Sequence, residues 1–183
     1  CADLAAIYED NFGLCIWNPP AHETSGLFEK KLADDGFQLK RVVAVNNVFS
    51  SLDGFPEGSG QRSMKSWIAE LIEVFATLFG LKQVGLRISG MKSPMCPKFH
   101  VDHVPARLIH SLYGEGCDWF SDPAYFDTDD NDKGSLSGWL KHAESCGTEK
   151  IRQAPAGSVV LMKGTSWSEK EPPVIHRSPK HRQ

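Results

Sequence analysis

The chain predicts an α+β fold, and three stretches carry that prediction. Trp67, Leu71, Phe75 and Leu78 recur at helical spacing within 63–79, and Ile68, Ile72 and Phe79 widen the same stripe. Phe99-His100-Val101-Asp102 alternates apolar and polar residues with the period of a strand. Ser158-Val159-Val160-Leu161-Met162-Lys163 is a continuous apolar run, of a length that suits a buried strand. With 183 residues, 40% hydrophobic and 23% charged, the chain has the composition of one soluble domain large enough for a core. Within that domain, 1–80 reads as a helical flank with the first strands, and 81–183 as the segment rich in strands.

Taken in order, 3–9 predicts a short helix, and Leu14-Cys15-Ile16-Trp17 a short strand stopped by Asn18-Pro19-Pro20. Thr24 or Ser25 can cap a helix running to about Ala33, closed by Asp35-Gly36. Residues 39–45 are rich in strand formers. The stretch 50–60, with three glycines and Pro56, reads as a loop. The helix over 63–79 ends at Gly80, a residue suited to the left-handed cap. A strand over 84–89 leads toward two short strands in 96–113, separated by Pro105, which cannot donate to a ladder. Gly114-Glu115-Gly116 and Ala154-Pro155-Ala156-Gly157 are turns. After the apolar run come a loop with Gly164 and Pro172-Pro173, and then Val174-Ile175-His176-Arg177-Ser178-Pro179.

The chemistry sits in two of these segments. Residues two apart in a strand share a face, so His100 and Asp102 stand side by side, with Phe99 and Val101 turned away. One more histidine from a neighbouring strand, His176, would complete a 2-His-1-carboxylate triad, the ligand set that holds iron(II) and leaves coordination positions open. A histidine heading a short strand, one loop after a buried strand, also fits a double-stranded β-helix, the jelly-roll or cupin-like core. The alternative is a hydrogen-bonded surface pair without a metal, because His-x-Asp also arises by chance.

Phe99-His100-Val101-Asp102-His103-Val104, Arg107-Leu108, then Tyr113, Gly114, Gly116 and Trp119, followed by the 158–164 run and His176-Arg177-Ser178-Pro179, together resemble the bacterial family catalogued as domain of unknown function 1826. The resemblance is carried mainly by 94–120 and 155–179. It implies no reaction. Members of that family tend to lie near zinc-homeostasis genes, which bears on the choice of metal. In motif order the chain is also similar to the iron(II)/2-oxoglutarate oxygenases, an analogy that implies a non-haem dioxygenase, an oxidoreductase whose catalytic and metal residues are His100, Asp102 and His176.

If 2-oxoglutarate chelates the ion, its far carboxylate needs a cation, best an arginine, whose planar fork matches a carboxylate. Arg177 is adjacent to His176 and faces away from it in a strand. Arg182 stands near the end of the chain. Arg107, five residues beyond Asp102, is the better placed, although it can instead pair with Glu115 or Asp118 at a barrel rim. Zinc is the alternative metal, in a zinc-handling protein or a zinc-dependent hydrolase, with Cys96 or His103 completing a tetrahedron. A cupin-like binding module without catalysis is a further alternative. His110 reads as structural, while Tyr113 and Trp119 read as core or pocket lining. Neither the substrate, small molecule or protein, nor the oligomeric state is written in the sequence.

Several classes are excluded. A net charge of −3 and no basic stripe argue against nucleic-acid binding. The basic cluster Arg177, Lys180, His181 and Arg182 reads as a solvated tail. No apolar run reaches the ~18–20 residues of a membrane helix, and no secretory signal is visible. The chain starts at Cys1 without methionine and stops four residues after Pro179, so both ends read as cut. Five cysteines, odd in number and without regular spacing, favour a reducing cytoplasm over a disulfide framework. The run Asp127-Thr128-Asp129-Asp130-Asn131-Asp132 lacks the glycine and terminal glutamate of a calcium loop and reads as an acidic loop. Ser178 has no nucleophile elbow, and Lys163-Gly164 has no phosphate-loop glycine pattern.

Overall fold

The computed structural model describes residues 2–10, 12–20, 26–126 and 135–179. In chain order these form α1 (Ala2–Ala5) with a 3-10 turn at Ala6–Tyr8, β1 (Leu14–Trp17), α2 (Leu27–Asp34), β2 (Gln38–Ala44), α3 (Val48–Ser51), α4 (Gln61–Phe79) and β3 (Gln83–Ser89). There follow β4 (Ala106–His110), β5 (Asp118–Phe120), α5 (Pro123–Phe126), α6 (Leu136–Ser145), β6 (Ile151–Gln153), β7 (Val159–Lys163) and β8 (His176–Arg177). The chain divides into two compact units, 20–93 and 1–19 with 94–183. Among the described residues no helix is long and apolar enough to cross a membrane.

The unit 20–93 pairs β2 with β3 as an antiparallel ribbon, Leu39 opposite Ile88 and Val43 opposite Val84. Its α4 buries Trp67, Ile68, Leu71 and Ile72 of the stripe read from the sequence, together with Met64 and Ala76, while Phe75, Leu78 and Phe79 are half-buried. The helix stops because Gly80 takes φ 63°, which lets Leu81 N–H donate to Ala76 O at 2.8 Å. The stretch read as a loop begins instead within α3. Buried Val48, Leu52 and Phe55 hold it, with Phe55 packed on Phe28 and Phe37 at 6.1 and 5.1 Å between ring centroids. Those apolar residues outweigh the nearby glycines and proline. The expected cap at Thr24 or Ser25 lies outside the described residues, and Gly26 precedes α2.

The other unit carries two three-stranded antiparallel sheets, in the orders β1-β7-β4 and β6-β5-β8. Central β7 is buried along its whole length, Val159–Met162 as a continuous apolar run requires, and Lys163 with its ammonium paired to Glu171. Across the first sheet, Leu14, Met162 and Arg107 fall in one row, and Ile16, Val160 and Ile109 in another. Val160 and Met162 belong to an apolar cluster with Cys117, Ala154 and Val174, against which Leu14, Ile16, Ile109 and Trp119 pack half-buried. Both sheets therefore feed one core. A second cluster joins Phe99, Val101, Phe120, Tyr125, Ala143 and Ile175, with Trp139 and Leu140 of α6 packed on it.

The mixed class is as the sequence predicts, but the jelly-roll is not confirmed: among the described residues no sheet closes into a barrel. The first of the two expected strands around 96–113 also shrinks to a single bridge at His100. Pro97 and Pro105 supply no N–H to extend it, and the carbonyls of Asp102 and Pro105 accept from Thr165 and Gly164 instead, both at 2.9 Å.

Candidate metal centre

His100 and His176 face one another across that bridge. Each backbone N–H donates to the other's carbonyl at 2.9 Å, and the two rings stand 4.4 Å apart between centroids at 49°. The backbone pairing follows from sequence on both sides, because Phe99, Val101 and Ile175 are all buried in the second apolar cluster. Strand alternation then turns His100, Asp102 and His176 to the opposite face. The alternation read from the sequence holds here although the segment 99–102 is not a regular strand.

The ring nitrogens are sorted. His100 Nδ1 lies 3.0 Å from Lys98 O, and His176 Nδ1 lies 3.1 Å from Val174 O. A carbonyl accepts only, so each Nδ1 carries the proton and each Nε2 keeps its lone pair. This is how ligating imidazoles are oriented by a backbone partner. Burial holds His176 below its ordinary pKa, since desolvation penalises the cation. The Val174 carbonyl and Asp102 pull upward, and His100 and Arg107 push further down. The neutral, ligating form is the favoured one.

Asp102 completes the group, with Oδ2 3.4 Å from His176 Nε2. Ligand atoms of His100, Asp102 and His176 all lie within 4.8 Å of one another. Atoms each about 2.1 Å from one ion sit about 3 Å apart when cis, so only small side-chain rotations separate this group from a coordination sphere. Asp102 Oδ2 is buried and has no hydrogen-bond donor. Arg107 Nε approaches it at 2.5 Å as an ion pair, but off the direction of a hydrogen bond. A buried carboxylate oxygen without a donor is costly, and a bound cation would satisfy it. The residues fit a divalent metal, and the three can hold one.

Around the group, Gly164 is fixed by space. A Cβ there would come within 2.1 Å of Val104 O and 2.7 Å of Asp102 O, so only glycine lets the loop after β7 lie against the aspartate's backbone. Trp119 stands directly across from His176 in the β5–β8 pairing, and so shares its face. An aromatic after a strand suits core or pocket alike from sequence, and only the β5–β8 register brings Trp119 beside His176.

Other expectations divide. Arg107 pairs with Asp102 rather than with Glu115 or Asp118. Asp118 is committed to Arg177 at 3.0 Å and Gln153 at 3.2 Å. Arg177 turns away from His176, as alternation requires, and stacks over Phe99 at 4.1 Å. Cys96 does not join the group. Its backbone N–H donates to Ser178 Oγ at 3.2 Å, and among the described residues no cysteine is part of a metal-binding group. His103 is exposed beside Thr165, with Nδ1 3.3 Å from Oγ1. His110 Nδ1 donates to Ser158 O at 3.0 Å, a structural contact. Tyr113 is exposed. Arg182, the tail cluster's Lys180 and His181, and the acidic run 127–132 lie outside the described residues. Cys15, Cys96, Cys117 and Cys146 are free thiols, and burial pushes Cys117 up to about 11, away from reactivity.

Fold and site together define a mixed helix-and-sheet protein with a two-histidine, one-aspartate group able to hold a metal ion. The whole chain, residues 1–183, matches the family model described as protein of unknown function DUF1826, and it belongs to that family. No curated protein and no solved structure matches it significantly.

Proposed function

We propose that the protein is a mononuclear non-haem iron(II) oxygenase that uses 2-oxoglutarate. The observation that carries this reading is the ligand group itself: two imidazoles whose Nδ1 atoms face carbonyls, leaving the Nε2 lone pairs for a metal, and a carboxylate whose buried Oδ2 lacks a donor. Two histidines and one carboxylate on one side of an ion are the set that leaves positions open for a co-substrate and oxygen. Bound iron would supply the oxygen activation. The chain's own residues bind and orient. His100 and His176 are oriented by backbone carbonyls at Nδ1, burial keeps His176 neutral, and Asp102 supplies the charge. Arg107, with a side chain 43% exposed, spends only Nε on Asp102, so its terminal nitrogens can clasp the far carboxylate of 2-oxoglutarate. Two sheets sharing one core are compatible with an open, cupin-like jelly roll, and the four cysteines among the described residues, all free thiols, fit a reducing cytoplasm.

Zinc is the second reading, and the three-ligand count favours one form of it. Three protein ligands plus water make a catalytic zinc centre, whereas a closed structural site needs a fourth ligand, which Cys96 does not provide. Elemental analysis of protein purified without oxygen decides the metal. Iron-loaded protein under nitrogen should then develop a visible charge-transfer band on titration with 2-oxoglutarate. Arg107→Ala should lose the band while keeping the iron, and Arg107→Lys should recover part of it. Wild-type protein that holds iron but gives no band would end the 2-oxoglutarate reading and move a zinc hydrolase or a binding module to first place.

A further inference from the structure

Behind the two histidines, on the reverse face of the same strands, runs a second row of side chains. His100 pairs with His176, so the preceding Phe99 stands beside the following Arg177. Arg177 in turn pairs in register with Asp118 of β5, and Asp118 with Gln153 of β6. Every step of this row is a contact. The Arg177 guanidinium lies 4.1 Å over the Phe99 ring. Its Nε donates to Asp118 Oδ2 at 3.0 Å, and Gln153 Nε2 donates to Asp118 Oδ1 at 3.2 Å. Glu144 of α6 ties in from the side: its Oε1 accepts from Phe99 N–H at 2.6 Å, and its Oε2 lies 4.0 Å from Arg177 Nη1.

We propose that Arg177 is a positioning residue for the metal group, setting the distance between His100 and His176 through its simultaneous grip on Phe99 and Asp118. The proposal rests on the metal reading of that group. Arg177 and Asp118 are both buried, and a buried ion pair gains little stability over apolar residues of the same size. Direction is what an apolar pair lacks. A planar guanidinium stacks on a ring through its face while donating through its edge, so Phe99 and Asp118 are held at a fixed offset from Arg177. Their neighbours on the other face are His100, His176 and Trp119. The need for such a backing is local. The ligand segment meets β8 through one bridge only, and its other backbone contact there is Ser178 N–H to Cys96 O at 2.9 Å. Ligands must be held to about 0.5 Å for tight binding, and partners behind ligating residues typically govern 10–100-fold in metal affinity.

Cobalt(II), added to the full chain, tests this through its visible spectrum and a competition titration. Arg177→Lys keeps the charge but loses the plane. The pair Arg177→Met with Asp118→Leu removes both charges and leaves no buried ion unpaired. Each should stay folded, bind cobalt about 10-fold to 100-fold more weakly, and shift the absorption bands that report coordination geometry. Asp122→Ala, which disturbs a carboxylate outside the row, should lower stability without moving the cobalt spectrum. Either Arg177 variant, folded and binding cobalt with wild-type affinity and spectrum, would overturn the positioning role. Wild-type protein that binds no cobalt would remove the metal reading itself, and this proposal with it.

Discussion

Asp102 and Asp118 are both aspartates shielded from solvent, each beside an arginine, and they are built for opposite ends. Asp118 has a donor on each oxygen, Arg177 at 3.0 Å and Gln153 at 3.2 Å, and its arginine is as buried as itself. Asp102 has a half-exposed arginine 2.5 Å from Oδ2, no hydrogen-bond donor on that oxygen, and an imidazole Nε2 at 3.4 Å. A satisfied buried pair locks geometry, whereas an unsatisfied one holds capacity in reserve for a cation. The difference teaches that pairing alone does not distinguish a scaffold carboxylate from a ligand. Completeness of the pairing does.

The sharpest way to break the comparison is to remove each arginine. Arg177→Ala should destabilise the protein by about 3–5 kcal/mol, because Asp118 is left charged and buried; urea unfolding measures it. His176→Ala should abolish the stabilisation that metal confers, about 2.7 kcal/mol at metal 100-fold above Kd for wild type, seen as loss of the metal-dependent rise in Tm. Arg107→Ala should cost no more than about 1 kcal/mol in the same urea experiment, since its side chain is half in water. An Arg107 variant as damaging as the Arg177 one would erase the distinction.

Asp122 sharpens the comparison as a third case, a carboxylate paired with a partly exposed lysine. The hydrogen bond from Lys150 holds its carboxyl below the ordinary range, against the upward push of burial, and Ala124 N–H and His142 help. A folded pKa below the unfolded value means stability that is present above pH ~4 and is lost as pH falls through the folded pKa. The Tm gap between wild type and Asp122→Asn should therefore be constant near neutrality and close in acid. The smallest effect belongs to Cys96→Ser, which should leave metal affinity unchanged in a direct titration, because its thiol is outside the ligand group.

The candidate site was more legible in the sequence than the sheet order. Strand alternation is local, so Phe99 and Val101 went inward and His100 and Asp102 outward as read, and β1 spans Leu14–Trp17 as read. The long helix was legible for the same reason, down to its glycine cap. What alternation cannot give is register between strands distant in sequence. The partner of Arg107, the place of Trp119 beside His176 and the row through Arg177 all depend on it. Whether strands close into a barrel depends on it too. Short α3 was hidden because Val48 and Leu52 flank glycines that read as loop.

The two-unit division has a consequence for the order of synthesis. Residues 20–93 are contiguous, and β2 can meet β3 as soon as both leave the ribosome. In the other unit β1 comes first but pairs only with β7, Leu14 against Met162 and Trp17 against Val159. At ~5–20 residues per second, the first strand waits on the order of ten seconds for its partner. During that wait Cys15 and Ile16 have no sheet to enter. The nascent chain thus carries an orphan apolar strand until β7 is made, the interval in which a holding chaperone would find it.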